Sequence, residues 1–262
     1  MQSYSSILVE KRGQVLVITL NRPEIGNAFN NELVKELTEV FASIEGEVRA
    51  IVLTGAGKVF CAGADLNWMK RMAEFTEEEN YADAAAMDRM FHTIDVCPKP
   101  VVAKVNGAAI AGGMGFLGVS DVVVASRAAK FGFTEVNLGI IPAVVSPYVM
   151  SKIGYSQTRS LFLSAEIFSA AKAKEIGLVH EVVDPERLDA RLEERLKDLG
   201  KGGPAAQAIC KQWLRGLMEV DIDTARGRSA RMIAGLRVSP EGQEGMRAFL
   251  EKRKPIWTEG DN

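Results

Sequence analysis

Two apolar runs, residues 48–53 and 100–105, each lead straight into a glycine-rich segment and from there into a stretch of helical spacing. Buried strand, glycine turn and helix in that order, repeated, constrain the chain to a layered α/β core. The glycine segments are Cys61-Ala62-Gly63-Ala64-Asp65-Leu66 and Asn106-Gly107-Ala108-Ala109-Ile110-Ala111-Gly112-Gly113-Met114-Gly115. With so few side chains in the way, each can aim bare backbone N–H groups at one point. Two such donors can hold an oxyanion, at roughly 2.7 to 4 kcal/mol for each well-placed donor.

The remaining pattern extends this layering. Residues 7–10 and 15–20 read as two short strands about the turn signal Arg12-Gly13. Asn30 can cap a helix whose apolar stripe is Leu33, Leu37, Val40, Phe41 and Ile44. A long helical stretch over 66–94, broken near Phe75-Thr76, ends before Pro98, and strands follow at 121–125 and from 130. Strands and helices alternate to about Val183, and beyond Pro185 the pattern is wholly helical, over 187–199, 204–218, 222–236 and 241–252. Lys201-Gly202-Gly203-Pro204 is the most linker-like stretch, with Pro204 suited to a helix first turn. The expected division is an α/β core over 1–200 and a helical region over 201–262.

Composition removes several classes of function. Lys+Arg of 32 against Asp+Glu of 34 leaves a net charge of -2, so no global field recruits nucleic acid or an anionic membrane. The uncharged run between Lys104 and Asp121 falls short of the roughly 18 apolar residues that span a bilayer. Cys61, Cys97 and Cys210 are odd in number and far apart, which suits a reducing cytosol and indicates neither a disulfide framework nor a Cys-x-x-Cys metal site. Residues 1–10 lack a basic start followed by an apolar stretch, so a cytoplasmic location is expected. His92 and His180 have no carboxylate or Cys partners at ligand spacing, and Ser146 lies outside any G-x-S-x-G elbow.

Four features carry candidate chemistry. Gly113-Met114-Gly115-Phe116-Leu117-Gly118 fits G-x-G-x-x-G, yet seven residues separate it from Val105 and it falls in mid-chain, unlike a dinucleotide-binding turn. As a turn into a helix N-terminus, Ala111-Gly112-Gly113 instead offers free N–H groups and a favourable dipole, and tight helix packing through small residues is the alternative. Asp65, before Leu66-Asn67-Trp68-Met69, reads first as a helix cap. Glu135 stands among mostly apolar neighbours, so its carboxyl should be half-buried, with a raised pKa suited to proton exchange near neutrality, or else be a buried structural glutamate. Lys252-Arg253-Lys254 ends the last helix as a solvated basic terminus or as an anion contact.

Taken together, Leu20-Asn21-Arg22-Pro23-Glu24 with Asn27-Ala28, Phe60-Cys61-Ala62-Gly63-Ala64-Asp65-Leu66, Asn106-Gly107 with Ala111-Gly112-Gly113, Phe131-Gly132-Phe133-Thr134-Glu135, Leu138-Gly139-Ile140-Ile141-Pro142 and residues 241–253 resemble the crotonase (enoyl-CoA hydratase/isomerase) family. The resemblance runs through nearly the whole chain in order. It implies an α/β fold, a crotonase-like spiral of ββα units with a C-terminal helical oligomerisation region that assembles homotrimers, often paired into homohexamers. It implies that the N–H groups of Ala64 and Gly112 form an oxyanion hole for an acyl-CoA thioester. Loops carrying Arg22, Ala28, Ala62, Asp65 and Leu66 would hold the adenine and pantetheine of coenzyme A. Phe249 and Lys252, from the same chain or a neighbour, would lie near the nucleotide end.

Glu135 matches the second of the two glutamates of typical hydratases in this family, and the first falls on Gly115. One carboxyl would then serve both proton transfers of hydration, or carry a proton between α- and γ-carbons as in the family's Δ3-Δ2 enoyl-CoA isomerases. Residues 139–148, Trp68-Met69 and residues 238–245 are similar to bacterial methylglutaconyl-CoA hydratases, which also lack the first glutamate. The implied reaction is reversible hydration of a branched short-chain enoyl-CoA, with no metal and no cofactor beyond the coenzyme A of the substrate. Isomerase or decarboxylase chemistry, and a non-catalytic acyl-CoA or RNA binder, are the alternatives. Lys70, Arg71, Ser146 and Tyr148 are candidates to meet a distal carboxylate.

Overall fold

The computed structural model describes residues 4–44 and 46–258. Met1, Gln2 and Ser3 of the N-terminal stretch and residues 259–262 of the helical region lie outside the described residues. β1 (Ile7–Arg12) and β2 (Val15–Leu20) form an antiparallel hairpin, turned at Gly13 with a φ of +58°. Next comes α1 (Asn31–Ala42), capped by the Asn30 side chain, which accepts from the Leu33 N–H. Its buried face is the one the spacing indicates, except that Ile44 falls beyond the helix end and still packs on the core.

From there the chain repeats one move. β3 (Ala50–Gly55) enters a large sheet, β4 (Val59–Cys61) a small one, and α2 (Leu66–Met72) with α3 (Glu77–Asp95) returns across the layer. β5 (Val101–Val105), β6 (Ala108–Ile110) and α4 (Gly113–Val119) repeat it, as do β7 (Val122–Ser126), β8 (Lys130–Gly132) and α5 (Ser146–Ser164). Helical spacing breaks between α2 and α3 where expected. Thr76 caps α3 there in a reciprocal capping box with Glu79. β9 (Phe168–Ser169), α6 (Ala170–Glu175) and β10 (Glu181–Val183) complete the sheets, followed by α7 (Leu188–Gly200), α8 (Pro204–Leu217), α9 (Ile222–Val238) and α10 (Pro240–Leu250).

The large sheet runs β1-β2-β3-β5-β7-β10, parallel apart from the hairpin, and the small sheet runs β4-β6-β8-β9 with β4, β6 and β8 parallel. Both faces of the large sheet are covered, which is why β3 and β5 read as continuous apolar runs rather than alternating ones. Ile51, Leu53, Val101, Ala103, Val105 and Val123 face the main core, while Ala50, Val52, Val102 and Val124 meet Leu188, Leu192 and Leu196 of α7. The fold is thus the expected α/β spiral of ββα units with helices at the C-terminal end. Residues 108–110, within the second glycine segment, form β6, a strand that the sequence reading did not assign. Arg49 ties the linker-like stretch to the core, donating to the Gly202 and Trp257 carbonyls.

Candidate active site

Three neighbouring parallel strands of the small sheet end along one edge. After β4 the chain passes through Gly63 and Ala64, after β6 through Ala111 and Gly112, and after β8 to Glu135. Loops at the carboxyl ends of adjacent parallel strands are where such sheets gather ligands. The three exits are held together directly. The Ala111 N–H donates to the Gly132 carbonyl at 2.8 Å, and a Cβ placed on Gly63 would lie 3.1 Å from Ala111 Cβ. Ala111 itself adopts a left-handed φ of +49°, rare for a residue with a side chain and costing on the order of 1 kcal/mol or more. That turn sets the direction of the amide that follows it.

Two backbone donors emerge from these exits. Ala64 pairs with Phe29 in a parallel bridge in which the Phe29 N–H donates to Gly63 O and the Asp65 N–H to Phe29 O. In that pattern the N–H of Ala64 points away from Phe29. Gly112 stands just before α4, where first-turn amides have no helical partner. Among the described residues neither amide donates to an acceptor, and both residues are half-buried rather than sealed.

Glu135 opens a short 3-10 turn, Glu135–Leu138, that follows β8. The residue is 9% exposed, and its Oε2 is buried with no hydrogen-bond partner among the described residues. Burial pushes its carboxyl above the ordinary 4.5, with the residue's own backbone N–H pulling more weakly the other way. A buried carboxyl with one free oxygen can take and return a proton. The surroundings foreseen from its apolar neighbours are therefore present.

Gly115, the third residue of α4, has no room for a side chain. A Cβ there would lie 2.5 Å from Phe91 Cζ and 2.6 Å from Val145 Cγ1. Phe91 packs edge-on against Phe116, with centroids 5.4 Å apart, and Phe116 stacks on Phe29 at 5.2 Å. This aromatic cluster was not visible in sequence spacing, because its three members come from separate segments, Phe91 from α3, Phe116 from α4 and Phe29 from the bridge before α1. A Cβ at Gly113 would lie 2.6 Å from Cys61 O and one at Gly118 3.0 Å from Tyr148 Cβ, so within α4 the glycines of the G-x-G-x-x-G pattern serve close packing. At the far end of α4, Lys152 of α5 donates to the Leu117 and Ser120 carbonyls at 2.6 Å each, and burial lowers its ammonium pKa to about 8.

Other sequence candidates fall in different places. The Arg22 guanidinium donates to the Ala28 carbonyl and to Asp65 Oδ2, each at 2.7 Å. Asp65 also caps α2 by accepting from the Asn67 N–H at 2.7 Å. Burial pushes the Asp65 carboxyl up, but the bonds from Arg22 and Asn67 outweigh it and leave the group below its usual value. Ala28 is buried, Ala62 exposed, and Leu66 73% exposed at the start of α2. Phe249 and Lys252 stand exposed at the end of α10, which packs chiefly on α9 and α8. Beside them Arg253 is paired with Glu244 and Glu251.

Of the candidates for a distal carboxylate, the Ser146 hydroxyl already donates to Pro142 O, Lys70 and Arg71 are exposed, and burial pushes the Tyr148 hydroxyl up to about 12. Among the described residues no three His, Cys, Asp or Glu side chains gather as metal ligands. No helix among them is long and apolar enough to cross a membrane.

The sequence profile described as Enoyl-CoA hydratase/isomerase matches residues 10–260. The chain belongs to the enoyl-CoA hydratase/isomerase family. It is similar to a short-chain-enoyl-CoA hydratase of Clostridium acetobutylicum, 35% identical over 254 residues, which cover 95% of this chain and 96% of the relative. Among solved structures it resembles an enoyl-CoA hydratase from Shewanella pealeana, with a TM-score of 0.92 and 37% identity, covering 97% of this chain and 96% of the other. It also resembles Pseudomonas aeruginosa AtuE, with a TM-score of 0.94 and 38% identity, covering 97% and 100%. Two carboxyls stand after these strands: Asp65, after β4, is held by Arg22 and by the Asn67 N–H, while Glu135, after β8, keeps one buried oxygen free among the described residues.

Proposed function

We propose that this protein is an enoyl-CoA hydratase that adds water reversibly across a branched, carboxylated short-chain enoyl-CoA of the 3-methylglutaconyl type, giving the 3-hydroxy-3-methylglutaryl thioester. The observation that carries the reading is the buried Glu135 carboxyl, with its Oε2 unpartnered among the described residues, at the same strand ends as two unengaged amides. As carboxylate, Glu135 takes a proton from water while the oxygen adds to the β-carbon. The electron pair of the double bond moves onto the thioester oxygen, where the Ala64 and Gly112 N–H groups hold the enolate. Glu135 then returns the proton to the α-carbon, so both new bonds form on one face. The branched acyl group is supported by the sequence of residues 139–148 and by Trp68-Met69.

In this reading the coenzyme A arrives with the substrate and no metal takes part. The loops about Arg22 to Ala28 and Ala62 to Leu66 take the coenzyme, with Phe249 and Lys252 at its nucleotide end. The helices over 201–262 assemble a homotrimer or homohexamer. Two of them, α8 and α9, contain no buried residue, while Leu214, Met218, Ile222 and Ile233 stand exposed on them or at their ends. A cytoplasmic enzyme fits this assignment.

The deciding experiment is Glu135→Gln assayed with 3-methylglutaconyl-CoA. Turnover should fall by at least about 100-fold with acyl-CoA affinity largely kept, as expected for loss of a proton-transfer group. Unchanged turnover overturns the assignment. A lone carboxyl also suits Δ3-Δ2 isomerisation, so a wild-type enzyme that turns over only 3-enoyl-CoA replaces hydration with that chemistry.

A further inference from the structure

We propose that Arg22 and Asp65 act as positioning residues for the N–H of Ala64, rather than as contacts for coenzyme A. The inference rests on Ala64 being an oxyanion donor. Arg22 reaches across both chains of the bridge that carries this amide. One arm holds the carbonyl of Ala28, the residue before Phe29, and the other holds the carboxylate of Asp65, the residue after Ala64. The bridge itself is closed by Phe29 N–H to Gly63 O at 2.7 Å and Asp65 N–H to Phe29 O at 2.9 Å.

The clamp is fixed at its base too, since the Arg22 N–H donates to Asn27 Oδ1 and the Asn27 N–H to Arg22 O. The two side chains keep only 18% and 11% of their surface exposed, so little of either remains to meet a nucleotide. A planar guanidinium with two parallel arms suits two acceptors at once, which an ammonium on a flexible stem does not. An oxyanion donor acts only within about 2.7–3.1 Å of where charge develops, so holding the bridge rigid bears directly on turnover.

The test combines kinetics with the carbonyl stretch of bound crotonyl-CoA labelled at the thioester carbon, read in the Glu135→Gln background so that the ligand persists. Arg22→Met and Asp65→Asn should each lower kcat about 10- to 100-fold, leave the affinity for free coenzyme A within about 3-fold, and reduce the red shift of the band. The double variant should be no worse than the poorer single one, because one clamp is lost either way. Arg22→Lys should recover only part of kcat. If Arg22→Met fails to fold, Asp65→Asn, which keeps an oxygen to cap α2, decides alone. Weakened coenzyme A binding with kcat and band unchanged overturns the clamp and returns these residues to ligand contact. A band without any red shift in the parent Glu135→Gln protein brings down the oxyanion-hole reading itself, whereas a shifted band that the variants leave intact sinks only the clamp.

Discussion

Gly115→Ala tests whether the missing carboxylate is a matter of space. The added Cβ would sit 2.5 and 2.7 Å from Phe91 Cζ and Cε1 and 2.6 Å from Val145 Cγ1. Carbon atoms in contact prefer about 3.5–4.0 Å, so three atoms must each retreat by roughly 1 Å. Neither wall can give easily. Phe91 is wholly buried and bounded by Phe29, Phe116 and Tyr148, and Val145 is buried at the entry to α5. Overpacking costs about 1–3 kcal/mol, and with both walls closed the upper end, about 3 kcal/mol, is expected. Urea unfolding at fixed protein concentration should show an earlier midpoint with an unchanged slope. Val145→Ala removes the atom at 2.6 Å, so the double variant should lose about 1 kcal/mol less than the two single losses summed. Gly115→Glu, meeting the same walls, should gain no hydratase activity. An unfolding midpoint for Gly115→Ala equal to that of the wild type would refute the packing argument.

The same geometry sets three further outcomes. Asn27 is buried at a φ of +58°, accepts from the Arg22 N–H and donates to the Ala56 and Val59 carbonyls, so Asn27→Ala should cost about 3 kcal/mol or more through three unpaired backbone groups. Asn27→Gly should recover about 1 kcal/mol of that by removing the left-handed penalty, and equal losses in chemical unfolding would contradict this. In the proposed mechanism hydration needs the Glu135 carboxylate, so kcat/KM should fall as pH drops, with a single-proton limb centred above 4.5 that Glu135→Gln abolishes. Stability runs the opposite way. A carboxyl whose pKa is raised on folding favours the fold below its unfolded value and loses that contribution as pH rises, so Glu135→Gln should be the more stable protein at neutral pH and lose its advantage below about pH 4.5.

The larger elements were legible because their signals are local. Asn30 and Thr76 mark helix starts by capping chemistry that a short window contains, and the long apolar runs of β3 and β5 follow from burial on both faces. The small sheet was harder to read. β4, β6 and β9 are only two or three residues long, too short to show a period, and β6 lies inside a segment whose glycines suggest a turn. At the site, Glu135 was legible from its apolar neighbours in sequence. The filling of the Gly115 space was not, since Phe91 and Val145 arrive from 24 residues before and 30 after it. The clamp likewise joins residues 22, 28 and 65 across a bridge that no sequence window contains.

These placements share one physical consequence. Among the described residues Glu135 Oε2, Ala64 N–H and Gly112 N–H all lack partners, and for the buried Glu135 oxygen that state costs about 1–3 kcal/mol. Their clustering at one sheet edge argues against accident, because the neighbouring polar groups are paired closely. Asn27 uses both ends of its amide, Arg22 both arms, and Asp65 both oxygens. Paired groups therefore flank the bridge that carries the Ala64 amide, while Phe91 and Val145 close the space at Gly115. A carbonyl that gains negative charge is the complement to two free donors, and a water molecule that loses a proton is the complement to a free carboxylate oxygen. In the proposed reaction the two ends of a polarised enoyl thioester and its attacking water would meet these three groups together.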